Sequence, residues 1–353
     1  MVAPPPKGSE SAEALRVAVV GVGWAGARHV EAIDELGRGL VVECLVDVDA
    51  PFLAEQAARL GVEKTYIDCR EALDDAAVEA VSICSPHPLH CAQAVAAAEA
   101  GKHVLVEKPM AMDVAEATRM IEAAEVNGVQ LYVAENAVYV PMAQRLRQIV
   151  RDGEFIGELV SASLINGFRA PTYGYPGRRA WLAEPAQGGR GTWTLHGIHT
   201  VAQMRYALGE VRTVYVREHK ASSYQRRDIE GTMSGLLTLE SGVHVHIVQT
   251  PEVKLYGELG GYVLHGDRGS IRATEAGFCV YNDAHDGAQM AYPDGALSSY
   301  ALEMAAFADG IMRGVEGPTT GYSERRSLAV VQAGYESAEC GLPVDIPSRF
   351  GPL

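Results

Sequence analysis

Residues 15–26 read LRVAVVGVGWAG, an apolar run that breaks into glycines at Gly21, Gly23 and Gly26. The spacing is G-x-G-x-x-G, directly after a strand-like run and directly before AGARHVEAIDELG, whose Val30, Ile33 and Leu36 recur at helical spacing. Few folds can use such a turn. Gly21 permits the tight reversal, Gly23 lets a ligand approach the backbone, and Gly26 lets helix and strand touch. The N-terminus of the helix then faces an anion such as a pyrophosphate, with Trp24 and Ala25 completing the cradle. The second apolar run, VVECLVD, ends on Asp47, 21 residues past Gly26. A carboxylate there accepts hydrogen bonds from an adenosine ribose and repels a 2′-phosphate, and residues 48–54 hold no Lys or Arg to rescue one. The expected cofactor is NAD(H), in preference to NADP(H).

The same rhythm continues to about residue 138. VVECLVD, VEAVSICS, KHVLVEK and QLYVAEN read as buried strands, and the segments between them as helices with Gly61, Gly101 and Gly128 just past their ends. Strands apolar along their whole length, alternating with helices, predict a doubly wound parallel Rossmann domain over residues 15–138. Residues 1–14 are Pro-rich and polar, lack the apolar segment of a signal peptide, and are expected to be a disordered leader.

From about residue 159 the period changes. ELVSASLINGFR, RTVYVREHKA, GTMSGLLTLE, GVHVHIVQT, GGYVLHG, GSIRAT and GFCVYN read as strands joined by Gly-containing or polar turns. They predict an α+β domain over residues 139–353: an open, mostly antiparallel sheet with helices on one face. His244 and His246 alternate with Val243, Val245 and Ile247, which makes them surface or interface histidines. An open sheet face also suits another subunit, so a homodimer or homotetramer through this sheet is expected.

Bulk properties narrow the function. Thirty basic against 45 acidic side chains give a net charge of −15, a field that disfavours nucleic acid as a partner. No apolar run reaches the 18 or so residues that a membrane-spanning helix needs. Cys44, Cys69, Cys84, Cys91, Cys279 and Cys340 form no C-x-x-C pair, which fits reduced thiols and a cytoplasmic location.

Two further segments carry chemistry. KHVLVEKP places Glu107, Lys108 and Pro109 at the C-terminal end of the fifth strand, the edge where open α/β sheets bind ligands. GGRGTWTLHGIHTVAQMRYALG, residues 188–209, reads as a Gly-rich turn opening one helix, with His196 and His199 on one face. No Cys, Asp or Glu stands beside these histidines in sequence, so no metal site is assigned. The loop GFRAPTYGYPGRRAWLAEP, residues 167–185, offers Tyr173, Tyr175 and Trp181 to stack on a ring and Arg178 to hold a carboxylate.

GVGWAG with His29 after it, SPHPLH (85–90), AGKHVLVEKP (100–109), GEFIGEL (153–159), the Gly-rich turn before GIH, and SAECGLPVDIP together make the chain resemble the Gfo/Idh/MocA oxidoreductases from about Leu15 to Pro347. The resemblance implies an active site in a cleft between the two domains and hydride transfer between NAD(P) and a secondary alcohol of a sugar, polyol or related cyclic compound. It implies Lys108 as the residue that polarises the reacting oxygen and His199 as proton acceptor or donor. Ser85, Pro86, His87 and His90 are then expected along the cofactor, and Glu107 and Asn136 near its nicotinamide end.

The chain departs from the family where a D-x-G-x-H signature with a further Asp is usual: position 195 is Leu and position 202 is Ala. His196 or a carboxylate from a loop is expected to take part of the role of the missing acid, the other outcome being a shifted pH optimum or a weaker redox activity. The absence of both acids keeps two alternatives open. One is NAD-assisted glycoside cleavage through a keto intermediate, and the other is a dinucleotide-binding sensor without turnover. Retention of Lys108 and His199 argues against the pure sensor.

Overall fold

The structure, a computed structural model, describes residues 14–167, 180–182, 184–188, 191–224, 226, 228–253, 255 and 259–353. The expected leader, except residue 14, and Tyr173, Tyr175 and Arg178 lie outside the described residues.

The first sheet contains β1 (Leu15–Val20), β2 (Leu40–Val46), β3 (Thr65–Tyr66), β4 (Ala80–Ile83), β5 (His103–Glu107) and β6 (Leu131–Ala134). All pairings are parallel, in the order β3-β2-β1-β4-β5-β6. Helices α1 (Trp24–Leu36), α2 (Ala50–Leu60), α3 (Cys69–Asp74), α4 (His90–Glu99) and α5 (Val114–Val126) connect the strands. Alternate residues of β1 feed two separate cores: Val17 and Val19 pack with Val30 and Ile33 of α1, Ala18 and Val20 with Ala94 of α4. Burial on both faces is why the strand reads as a continuous apolar run. The strand order reverses between β1 and β4, which opens a crevice at their C-terminal ends.

The remainder comprises α6 (Pro141–Asp152), β7 (Leu159–Gly167), α7 (Pro185–Gly188), α8 (Thr192–Leu195), α9 (Gly197–Leu208), β8 (Val211–His219), β9 (Thr232–Leu239), β10 (His244–Thr250), β11 (Gly261–Gly266), β12 (Gly269–Thr274), β13 (Gly277–Asn282), β14 (His285–Met290), α10 (Ser299–Arg313), α11 (Gly321–Cys340), β15 (Val344–Asp345) and α12 (Ile346–Phe350). Its strands form one sheet, β14-β13-β12-β11-β7-β10-β9-β8-β15, antiparallel except where β7 runs parallel to β10. Residues from α6, α9 and α11, among them Leu146, Val201 and Val331, bury one face against Leu164, Leu237 and Ile247. The other face stays open. His244 and His246 are exposed there, and Tyr215, Leu236, His246, Ser163 and Val263 lie in one register row across it.

Three features differ from the sequence reading. α6 was not anticipated, although Met142, Leu146 and Ile149 bury a helical stripe. The segment 188–209 is not one helix: α8 stops at Leu195, and His196 caps the separate helix α9. α10 packs Ala301, Met304 and Phe307 into the core that contains Val30 and Ile33 of α1, so a late helix completes the first half of the fold. Among the described residues, no helix is long and apolar enough to cross a membrane.

Candidate active site

A cleft of about 660 Å³ runs along the C-terminal edge of the parallel sheet. One end is built by the glycine turn. Gly21 sits at φ +85°, and a Cβ there would stand 2.7 Å from the carbonyl oxygen of Cys84. A Cβ on Gly26 would stand 2.1 Å from the carbonyl oxygen of Gly21. Both glycines are therefore demanded by backbone contact. Gly23 differs, because a Cβ there meets nothing within 4 Å. Its requirement comes from the cleft side, where Gly23, Trp24 and Ala25 line the wall and α1 begins with no side-chain cap and no acidic residue in its first turn. An open backbone cradle at an uncapped helix N-terminus fits a pyrophosphate. Asp47 is buried at the end of β2; its Oδ2 accepts from Val22 N at 3.2 Å and its Oδ1 from Asp49 N at 3.1 Å. Val48, Phe52 and Ile67 make the neighbouring wall apolar. The residues present fit a dinucleotide.

At the other end the cleft is lined by Glu107, Lys108, Asn136, Leu195, His196, His199 and Tyr300. Lys108 follows β5, and its Nζ donates to the carbonyl oxygen of Leu195 at 2.9 Å. Leu195 thus contributes its backbone where the family commonly has an acid. His199 Nδ1 meets Glu135 Oε1 at 2.5 Å. Glu135 directly follows β6, is fully buried, and also accepts from Ala137 N at 3.0 Å. A carboxylate from outside the 188–209 segment thus meets His199, and sequence reading did not single it out. Asn136 Nδ2 donates to Ser299 Oγ at 3.0 Å, joining the edge of β6 to the start of α10.

Charge below this end is concentrated. The buried His29 of α1 lies 3.3 Å from Glu107 Oε1, and its Nδ1 is 2.7 Å from Ser82 Oγ. Burial alone would raise the Glu107 carboxyl, but the close approach of His29 and the charges of His29, Lys108 and His199 bring it below the usual carboxylate range. Glu303 of α10 is fully buried, and among the described residues neither of its oxygens has a hydrogen-bond partner; burial pushes its pKa well above the ordinary value. Tyr300, also from α10, is raised to about 12 by burial and by Glu107 and Glu303. Sequence reading missed α10 as a contributor to the cleft.

Ser85, Pro86 and His87 line the cleft. His90, expected along the cofactor, is instead wholly buried behind it, where its Nε2 lies 2.8 Å from the carbonyl oxygen of Ser85 and its Nδ1 3.0 Å from that of Pro109. It ties the loops after β4 and β5 together. Burial, then the charges of His90 and Lys108, hold the pKa of His87 well below the ordinary histidine range. Trp181 meets the His87 ring edge to face at a centroid distance of 4.9 Å, which sets it on the wall formed by the loop after β4. Among the described residues no group of three His, Cys, Asp or Glu side chains is arranged to hold a metal ion.

Comparison with known proteins bears on this geometry. Residues 15–135 match the Gfo/Idh/MocA model described as an oxidoreductase family with an NAD-binding Rossmann fold, and residues 143–272 match a Gfo/Idh/MocA C-terminal domain. A myo-inositol 2-dehydrogenase of Thermotoga maritima is 33% identical over 139 residues, 39% of this chain and 41% of that protein. A D-apiose dehydrogenase of Paraburkholderia graminis is 27% identical over 350 residues, 94% of this chain and 89% of that one. The solved structure of levoglucosan dehydrogenase with NADH and levoglucosan superposes with a TM-score of 0.85 at 21% identity, covering 95% of this chain and 100% of that chain. With both domain models matched in order and the glycine cradle in place, the chain belongs to the Gfo/Idh/MocA family of NAD(P)-dependent oxidoreductases.

Proposed function

We propose that this protein oxidises a secondary alcohol on a sugar, glycoside or cyclitol to the ketone, or catalyses the reverse, with NAD as the hydride partner. The observation that carries the reading is the pairing of Lys108 Nζ and the Glu135-anchored His199 at one end of a cleft whose other end is the glycine cradle. NAD supplies a hydride acceptor when bound. This chain's residues handle the substrate proton. With Nδ1 held by Glu135, His199 presents Nε2 to the substrate hydroxyl and accepts its proton, and Glu135 stabilises the imidazolium that forms. Lys108, a cation fixed by the Leu195 carbonyl, donates to the oxygen as alkoxide charge develops. His196, at the cap of α9 on the same wall, has a supporting role.

The proposed substrate class is supported by the relatives, which by name act on inositol, apiose and levoglucosan. A carboxylated ring is compatible with the arginines of the 167–185 loop. The preference for NAD over NADP rests on Asp47 and the apolar wall beside it. We assign residues 15–138 to cofactor binding and 139–353 to substrate binding and self-association through the open sheet face, in a protein of the cytoplasm. Light scattering at micromolar concentration tests the assembly; a monomeric mass would exclude it.

The decisive experiment follows absorbance at 340 nm with NAD and a panel of sugars, cyclitols, sugar acids and aryl glycosides. The reading expects NADH to appear with at least one of them and to fall by roughly 10²-fold or more in Lys108→Ala and in His199→Ala, with His196→Ala milder. Glycoside cleavage without NADH release would move the protein to the keto-intermediate chemistry. Both His variants at wild-type rate would remove the proton relay.

A further inference from the structure

His29 takes no part in the proton transfer above, yet it lies wholly buried beneath the cleft against several ionisable groups. It projects from α1 and is fully buried. Four groups face it: Ser82 Oγ at 2.7 Å and Cys84 Sγ at 3.4 Å from the loop edge of β4, Glu107 Oε1 at 3.3 Å from β5, and Glu303 Oε1 at 4.0 Å from α10. Glu107 in turn faces Lys108, whose backbone N–H donates to Glu107 Oε2 at 3.0 Å, and its side chain is 14% exposed, lining the cleft. Glu303 also senses Glu107 and Glu135.

The three carboxyl groups of this cluster cannot all ionise in a buried space. Among the described residues Glu303 has no hydrogen-bond donor, so it is the one best kept as the neutral acid. Glu107 has a hydrogen bond from the Lys108 amide and an imidazole against its other oxygen, so it is the one best kept as a carboxylate. As an imidazolium, His29 donates Nδ1–H to Ser82 and sets its Nε2 within ion-pair range of Glu107 at 3.3 Å, an approach that carries charge rather than an aligned hydrogen bond. Burial alone would lower the pKa of His29, but Cys84 and Glu107 against the ring raise it well above the ordinary range.

We propose that His29 is a positioning residue that keeps Glu107 ionised, so that a carboxylate faces the nicotinamide end of the cleft and favours the oxidised form of the cofactor over the reduced form. The inference rests on the reading that the cleft takes NAD with its nicotinamide at this end. The chemistry that discriminates is simple: the ring is a pyridinium cation in NAD and neutral in NADH. A fixed anion beside the ring therefore separates the two affinities, and the buried cation behind it holds that anion through the working pH range.

Binding of NAD and of NADH, measured separately by calorimetry and NADH fluorescence without substrate, tests this from pH 6 to 9. In the wild type the affinity ratio should stay flat across that range. In His29→Gln the NAD affinity should fall by about tenfold at pH 6 and recover toward pH 9 as Glu107 loses its proton, while the NADH affinity moves by less than about threefold. Glu107→Gln should show the same selective loss of NAD affinity at every pH, and adding His29→Gln to it should cost no more. Parallel loss of both cofactor forms, or no loss of either, overturns the proposal and leaves His29 as packing. Should His29→Gln fail to fold, the Glu107→Gln titration decides by the same criterion. A wild-type protein that binds neither form would refute the cofactor reading itself, a different result from parallel loss in the variants.

Discussion

Replacing Glu135 by Gln tests the catalytic reading at its least legible residue. The Glu135 carboxylate accepts His199 Nδ1 at 2.5 Å and the Ala137 amide at 3.0 Å, both through Oε1. A Gln carbonyl can accept both bonds, so the tautomer and ring orientation of His199 survive and only the negative charge goes. A charge-assisted hydrogen bond contributes about 1.5–3 kcal/mol net, against about 1 kcal/mol for a neutral one. The part that counts is the difference between imidazole and imidazolium, because only interactions that strengthen on proton transfer lower the barrier. One to two kcal/mol of that kind lowers kcat by roughly 5- to 30-fold. Glu135→Ala removes the orienting acceptor as well and should cost about 10²-fold or more. Rates come from the 340 nm assay with the best substrate of the panel, alongside NADH binding and thermal unfolding for each variant. Cofactor affinity should not move, and the Gln variant should unfold near the wild-type temperature, since both bonds through Oε1 are kept and a buried charge is removed. Full activity in Glu135→Gln at every pH would refute the argument, as would a loss of activity matched by a loss of cofactor binding.

Other consequences can be checked directly. Gly23→Ala should leave the unfolding temperature near wild type and weaken NAD binding at least tenfold, whereas Gly26→Ala should destabilise the fold by a few kcal/mol, because its Cβ meets the Gly21 carbonyl at 2.1 Å; equal unfolding temperatures for the two variants would contradict the assignment. Asp47→Ala should shift the ratio of NAD to NADP affinity toward NADP by about tenfold, read by parallel titrations. Burial raises the Glu230 carboxyl to about 7, a shift opposed by its bond from Trp193 N at 2.6 Å. With the folded pKa above the unfolded one, the folded state holds the extra proton. The stability cost of ionising Glu230 therefore grows as pH rises from about 4.5 through 7. Glu230→Gln should gain stability over wild type across that window, by on the order of 3 kcal/mol at pH 8, in urea titrations at pH 5 and 8; an equal gain at both pH values would rule the linkage out.

What the sequence disclosed follows from the range of each interaction. Gly21, Gly23, Gly26 and Asp47 belong to one local strand–turn–helix unit, so their spacing carried the cradle intact. β14, HDGAQM, has only Ala288 and Met290 as apolar residues and pairs with β13 at the sheet edge, so no alternation marks it. The break at His196 is invisible to a pattern that sees only helical spacing across Thr192–Leu208. Glu135 stood in plain view inside QLYVAEN, but its partner lies 64 residues away, and nothing local distinguishes a strand-end acid that anchors an imidazole from one that faces water. The same holds for His29 and Glu303, which meet only because α10 packs against α1.

That distance in sequence has a functional consequence. Three side chains at the reacting end of the cleft are held across the two halves of the chain: Lys108 by the Leu195 carbonyl, His199 by Glu135, and Asn136 by Ser299. Gln203 Nε2 extends the same seam to the Ala137 carbonyl, and the Tyr262 hydroxyl donates to Gln203 Oε1, so α9, the edge of β6 and the second sheet are tied in one line. A cleft assembled this way has its geometry set by how the halves dock rather than by either half alone. A loss of about 1 Å in that docking is enough to cost on the order of 10² in rate without touching a reacting atom. Substitutions along the seam, Gln203→Leu among them, should therefore lower kcat while leaving the dinucleotide affinity intact, because the cradle at the far end of the cleft is built from one local unit and does not depend on the seam.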